Sequence, residues 1–236
     1  MGVYFDRENR RIRVVTGRRT GARREEPPSR RSGVLRMREA GSIALPSPEP
    51  YALLRERVRA AGNGHALRSL MFADCDGSSD TAGVCRDFGD VLASAGFRVL
   101  VMSPSDVADA SSTPLAEALA SDDPPPPAGG GILTVLRCNA SDVDREHLFG
   151  SPEMATWLER QRGRYDYVLL VARDIAHHAD AALIGPMMDG VVIVVEAGRT
   201  RSVALAQARE QLERSRAHVV GVVLNGMRDG PPPWLG

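Results

Sequence analysis

Residues 69–83 read Ser69-Leu70-Met71-Phe72-Ala73-Asp74-Cys75-Asp76-Gly77-Ser78-Ser79-Asp80-Thr81-Ala82-Gly83. A short apolar run passes into a polar turn, and the turn into an amphipathic stretch that continues to Ala95. The pattern predicts a strand over Ser69–Ala73 and a helix over Thr81–Ala95 stopped by Gly96. Arg98–Met102 is then the next strand. Working outward, the alternation persists. Thr113–Ala120 predicts a helix, Ile132–Arg137 a strand, and Ser151–Gln161 a helix with Ser151 as N-cap and Pro152 at its first position. Tyr167–Val171 and Val191–Val195 are continuous apolar or β-branched runs, the mark of strands covered on both faces of a parallel sheet. Thr200 is placed to cap a helix reaching about Arg214, and Val219–Leu224 is the last strand. Upstream, Tyr51, Leu54 and Val58 recur at helical spacing in a segment that begins near Pro48 and ends at Gly62-Asn63-Gly64.

Alternation on this scale predicts an α/β fold, a doubly wound and mostly parallel sheet flanked by helices, in one domain over residues 46–230. Residues 1–45 are expected to be a basic, disordered tail, with a short strand feasible at Arg11–Thr16, and residues 231–236 a proline-rich tail. A low-complexity loop with four prolines follows Ser121-Asp122-Asp123.

All 30 basic side chains are arginine, and lysine is absent from the 236 residues. Formal charge sums to zero, but residues 1–40 carry 12 arginines against 5 acids and the remainder is correspondingly acidic. A basic arm on an acidic body suits contact with anionic lipid; nucleic acid is not an expected partner. Cys75, Cys85 and Cys138 form no C-x-x-C pair, which argues against a zinc ribbon or disulfide framework and fits a reducing compartment. No apolar run approaches the roughly 18–20 residues of a membrane span, and the N-terminus has no apolar signal-peptide core. The expected location is cytoplasmic, peripheral to the inner membrane through a partner.

The strand–turn–helix at residues 69–83 has the layout of a phosphate-binding loop, in which backbone N–H groups cradle phosphate and a lysine reaches its oxygens. The surrounding motifs resemble those of the bacterial tyrosine kinases of capsule and exopolysaccharide synthesis, close to the MinD/ParA-type P-loop ATPases. The resemblance runs from about Pro48 to Arg228. Tyr165-Asp166-Tyr167-Val168-Leu169-Leu170 is similar to that family's YDYVIID strand. Asp189-Gly190-Val191-Val192-Ile193-Val194-Val195 with Gly198-Arg199-Thr200 resembles its DGVLLVV…GRT stretch, and Gly221-Val222-Val223-Leu224-Asn225 its GVVLN. The helix at Glu49 resembles the E-x-x-R-x-x-R oligomerisation segment, with Glu49 and Arg55 present and Ala52 in place of the middle arginine. By this resemblance Asn225 is a residual contact for a nucleotide base.

In the same register a family member reads SAxPGEGKST from residue 74 to residue 83. Here Asp80 stands at the glycine that lets backbone approach phosphate, Thr81 at the lysine, and Ala82 at the hydroxyl that ligates Mg²⁺. Ser103 and Ser105 stand at two aspartates, and Val171 at the Walker B aspartate. Codon preference for arginine over lysine predicts arginine at position 81, yet the residue is threonine. Asp74, Asp76 and Asp80 bring carboxylates into a turn meant for an anion. Like charges about 4 Å apart repel by roughly 4 kcal/mol at an effective dielectric near 20. Phosphoryl transfer is mostly positioning and charge neutralisation, so neither ATP nor Mg²⁺ is expected to bind in the usual manner. The four tyrosines, Tyr4, Tyr51, Tyr165 and Tyr167, form no C-terminal cluster of the kind these kinases phosphorylate.

His177-His178 beside Asp174 and Asp180 superficially suggests a metal site, but adjacent helical side chains diverge by about 100° and chelate poorly. The acidic turn lacks the spacing and terminal glutamate of a calcium loop. No Gly-x-Ser-x-Gly elbow is present. The expectation is a catalytically inactive relative of the polysaccharide tyrosine kinases, a scaffold or regulator of exopolysaccharide assembly. Its expected partners are a membrane co-polymerase, a synthase or an active kinase paralogue, in a homo- or hetero-oligomer. Two alternatives stand beside it: a divergent ATPase or kinase completed in trans by a partner, and a MinD/ParA-like adaptor on a membrane surface.

Overall fold

The computed structural model describes residues 4–6, 11–16, 48–62, 66–104, 113–120, 133–138 and 142–226. The sheet is built from β1 (Tyr4–Asp6), β2 (Arg11–Thr16), β3 (Ser69–Asp74), β4 (Val99–Pro104), β5 (Thr113–Pro114), β6 (Leu133–Cys138), β7 (Tyr167–Val171), β8 (Gly190–Glu196) and β9 (Val219–Asn225). The strands lie in the order β1-β2-β9-β8-β3-β7-β4-β6-β5. Every pairing is parallel except that of β1 with β2. This is the doubly wound parallel sheet that the alternation predicts.

Two segments of the presumptive tail are strands. Arg11–Thr16 adds to β9 in register from Ile12 opposite Gly221 to Thr16 opposite Asn225, and Tyr4–Asp6 turns back onto it. The rest of residues 1–45, the loop after Ser121, Ser105 and residues 231–236 lie outside the described residues. Thr113–Pro114 is a short edge strand and not part of a helix.

Alternate residues of the central strands feed opposite layers, as a period of two dictates. On one face Met71, Leu100, Leu170, Val191 and Ile193 pack against α3 (Leu115–Ala120), α5 (Pro152–Arg164), α6 (Asp180–Ile184) and α7 (Ser202–Arg214). Trp157 of α5 fills the centre of that layer and donates its indole N–H to the Ala118 carbonyl at 3.1 Å. On the other face Leu70, Phe72, Val99, Leu169 and Val192 pack against α1 (Pro48–Ala61) and α2 (Thr81–Ser94). Tyr51, Leu54 and Val58 form the buried stripe of α1, and Tyr51 donates to Asp87 of α2 at 3.0 Å.

The sequence reading omits two helices, α4 (Asp142–Phe149) and the short α6. It also misplaces one cap. Helix α7 begins at Ser202 behind Arg201, with no side-chain cap bond. Thr200 is turned elsewhere: its Oγ1 accepts the Glu196 N–H at 2.9 Å and meets Ser78 Oγ at 2.8 Å. The hydroxyl closes its own turn and holds the loop after β3.

Close packing at the start of β8 gives a first prediction. A Cβ on Gly190 lands 2.5 Å from Val220 Cγ1 and 3.4 Å from Leu70 Cδ2. A β-branched neighbour has little rotamer freedom to yield. Gly190→Ala is expected to lower stability by about 1–3 kcal/mol, measured as a drop in the urea midpoint at unchanged m.

Candidate functional site

Ligands of open parallel sheets bind beyond the carboxyl ends of the strands. Here that position holds a cleft of about 250 Å³ walled by Asp74, Gly77, Ser79, Asp80, Thr81, Ala82, Val171, Ala172, Arg173, Asp174 and His178. Its walls are the β3–α2 turn and the loop after β7. The backbone ties them together: Ile175 N–H bonds the Asp74 carbonyl at 2.9 Å and Ala172 N–H the Phe72 carbonyl at 2.9 Å.

The turn satisfies its own donors with its own carboxylates. Asp74 Oδ2 accepts the Ser79 N–H at 2.8 Å, and Asp80 Oδ1 accepts the Gly83 N–H at 2.9 Å as the N-cap of α2. Asp74 Oδ1 and Asp76 Oδ1 make longer contacts of 3.3 Å with the N–H groups of Asp76 and Ser78. Gly77 takes the left-handed conformation, φ 78°, that lets the turn reverse. Aspartate is a strong N-cap because its oxygen replaces the missing helical acceptor. The same bond takes an N–H that a phosphate at this helix end needs.

Burial pushes the Asp74 carboxyl up, against the opposing pull of the N–H groups of Ser79 and Asp76. A folded-state value above the ordinary 3.8 means that ionised Asp74 opposes folding at neutral pH. That cost is absent below the unfolded value and grows as pH rises through the folded one. Asp74→Asn is therefore expected to raise the urea midpoint at pH 7 relative to the parent. The advantage shrinks as the titration is repeated toward and below pH 4, near the ordinary carboxylate value.

The other expected site positions distribute as follows. Thr81 is 5% exposed, and its Oγ1 has no partner among the described residues. Ala82 and Val171 line the same cleft. Ser103 is buried near the end of β4, and its hydroxyl too lacks a partner among the described residues. Asn225 ends β9, two strands away from β3, and its amide donates to Glu196 Oε2 at 3.1 Å. The group read as a base contact is thus engaged by a carboxylate of this chain. Glu49 and Arg55 lie on α1, where Arg55 pairs with Glu56 at 3.2 Å. Cys75 is buried, and burial with Asp74 and Asp76 nearby pushes its thiol up to about 12, which leaves it unreactive at neutral pH.

His177 and His178 both turn Nδ1 toward Asp174, at 2.5 and 2.9 Å, and no group of three metal-ligating side chains occurs among the described residues. Asp180, grouped with them in sequence, belongs to a separate buried network. Its carboxylate is fully buried and receives Arg145 Nε at 2.9 Å, Arg173 Nε at 3.0 Å and Arg173 Nη2 at 2.8 Å. Arg145 also donates to the Cys138 carbonyl at 2.7 Å and lies 5.0 Å from the Phe149 ring centroid. Sequence reasoning missed this network, because Arg145 and Asp180 are 35 residues apart and α4 itself was not expected.

No family model matches the chain. Over 78 residues it is 36% identical to the succinoglycan biosynthesis transport protein ExoP of Rhizobium meliloti, covering 33% of this chain and 10% of that protein. Over 72 residues it is 32% identical to the tyrosine-protein kinase CpsD of Streptococcus agalactiae, covering 30% of this chain and 31% of the kinase. The matches thus span between a tenth and a third of these relatives. The kinase domain of the Escherichia coli tyrosine kinase ETK superposes with a TM-score of 0.69 at 22% identity, over 78% of this chain and 77% of that domain. The chain is related in sequence to the polysaccharide tyrosine kinases and has the P-loop fold of their kinase domains. No helix among the described residues is long and apolar enough to cross a membrane.

Proposed function

We propose that this chain, a relative of the polysaccharide tyrosine kinases, is a non-catalytic scaffold or regulator of exopolysaccharide assembly. It docks on a membrane co-polymerase, a synthase or an active kinase paralogue. One observation carries the reading: Asp74 and Asp80 accept the Ser79 and Gly83 N–H groups, at 2.8 and 2.9 Å, in the turn that a nucleotide-binding relative presents to phosphate. A triphosphate arriving there meets carboxylates in place of donors, with Thr81, Ala82, Ser103 and Val171 supplying neither lysine charge nor metal ligand. The α/β frame of the kinase domains is kept, which leaves a surface on which a partner can dock.

Cells that use the protein provide the test. Deleting its gene is expected to change polymer yield or chain length by at least about twofold. Ser103→Ala, at a former metal-aspartate position, is expected to restore the parental polymer fully. An unchanged polymer in the deletion strain, or tyrosine phosphorylation by the purified chain, overturns the proposal.

A further inference from the structure

All strands but β1 run the same way, so their amino ends share one end of the sheet, away from the cleft. Arg68 precedes β3, Arg98 precedes β4, and Arg216 lies in the turn between α7 and β9; all three are exposed. With strands about 4.8 Å apart, these residues stand at intervals of roughly 10 Å along the ends of β9, β3 and β4. Arg55, Arg59 and Arg68 lie close enough to Tyr167 for their charges to act on its hydroxyl. Tyr167 is half-buried and packs edge-on against Phe97, ring centroids 5.3 Å apart. The acids of this end are already engaged. Asp166 takes the Arg98 guanidinium at 3.2 Å, Asp189 accepts the backbone N–H groups of Arg68 and Ser69, each at 2.8 Å, Glu56 meets Arg55 and Arg59, and Glu159 pairs with Arg162. The side chains of Arg68 and Arg216 make no hydrogen bond or ion pair among the described residues. Arg216 adds an independent sign: at φ 63° it is the one non-glycine residue in the left-handed region among the described residues. Glycine takes that conformation after a helix without the cost that a Cβ brings, yet an arginine is kept whose guanidinium gives the fold no contact in return.

We propose that this end of the sheet docks on an anionic phospholipid bilayer through Arg59, Arg68 and Arg216. A bilayer presents its phosphates in a plane, and each arginine near such a surface adds to binding. Separated guanidiniums across the blunt end of a sheet match a plane. Nucleic acid is instead held in a basic groove or read by an element inserted into its own groove. A half-buried tyrosine among arginine stems, with an apolar body and a polar tip, is the side-chain company of a membrane–water interface. The contact needs no spanning helix. It goes beyond the proposed function and is independent of it: the face lies at the end of the sheet away from the cleft, and it stands whether or not nucleotide binds there.

The test is flotation of the full chain at low salt with phosphatidylcholine vesicles, plain or with phosphatidylserine added. The chain is expected to float with the anionic vesicles and not with the plain ones. Arg68→Gln with Arg216→Gly is expected to weaken that binding by about tenfold or more. The glycine also relieves the left-handed backbone, so an unchanged or raised Tm verifies the fold of this variant. Arg199→Gln with Arg201→Gln removes the same charge from exposed positions after β8, at the other end of the sheet, and is expected to leave binding within about twofold. Both variants keep the whole basic N-terminal segment, so the difference between them reports on the face alone. Equal loss in the two variants, or no binding to the anionic vesicles, overturns the inference. So does a short DNA duplex or polyglutamate that strips the chain from the vesicles at equal charge concentration.

Discussion

Replacing Asp180 with alanine is expected to lower stability by about 3–5 kcal/mol, because it leaves Arg145 charged and buried without its carboxylate. Arg145, on α4, is 3% exposed, and Asp180, the first residue of α6, is fully buried. For a domain of this size the loss corresponds to a fall in Tm of roughly 6–20 °C. Removing the deeply buried pair, Arg145→Met with Asp180→Leu, is expected to recover part of it, since apolar groups can replace a buried ion pair at little cost, while Arg173, 18% exposed, still loses its carboxylate. The pH dependence follows from the same geometry. Burial alone would raise the Asp180 carboxyl, but the guanidiniums of Arg173 and Arg145 outweigh it and hold the group below its ordinary 3.8. A depressed carboxylate contributes stability that is present above its unfolded value and is lost as pH falls through its folded one. The parent chain should therefore lose this contribution below about pH 4, and Asp180→Ala should show a correspondingly shallower acid limb. Denaturant titrations of both proteins between neutral and acid pH measure the difference.

Rebuilding the phosphate loop is expected to produce the largest change in binding. Asp74→Ser, Asp80→Gly, Thr81→Lys and Ala82→Ser together return the residues that the family places at these positions. They free the Ser79 and Gly83 N–H groups from the chain's own carboxylates. They also restore the one side chain type this sequence lacks throughout. ATP affinity is expected to move from a Kd above about 1 mM to about 0.1 mM or tighter. Hydrolysis is not expected to follow, because Ser103 and Val171 still provide no metal-ordering carboxylate. A rebuilt loop that gains no affinity would place the obstruction elsewhere than in these side chains.

Much of the frame was legible because its signals are local. Continuous apolar runs at 167–171 and 191–195 mark strands covered on both sides, and the stripe Tyr51, Leu54 and Val58 marks the buried face of α1. The strand and helix on either side of the turn at residues 75–80 were equally legible, since an apolar run and a helix start are local signals. What the sequence did not show depends on distance. Helix α4 has few apolar residues in Asp142-Val143-Asp144-Arg145-Glu146-His147-Leu148-Phe149, and its anchor is an ion pair to Asp180 across 35 residues. Thr200 has an N-cap residue type, but Ser78, 122 residues away, gives its hydroxyl another use. By charge alone the carboxylates of the turn repel phosphate. The structure adds that Asp74 and Asp80 accept its backbone donors, which is a matter of atomic position and not of residue type.

Calorimetric titration of the unaltered chain tests most directly whether this cleft excludes MgATP. Titrations with ATP and ADP, with and without Mg²⁺, are expected to give no saturable heat up to about 1 mM nucleotide, the concentration at which binding free energy is only about −4 kcal/mol. Saturable binding in the micromolar range, strengthened by Mg²⁺, would make the cleft a working nucleotide site.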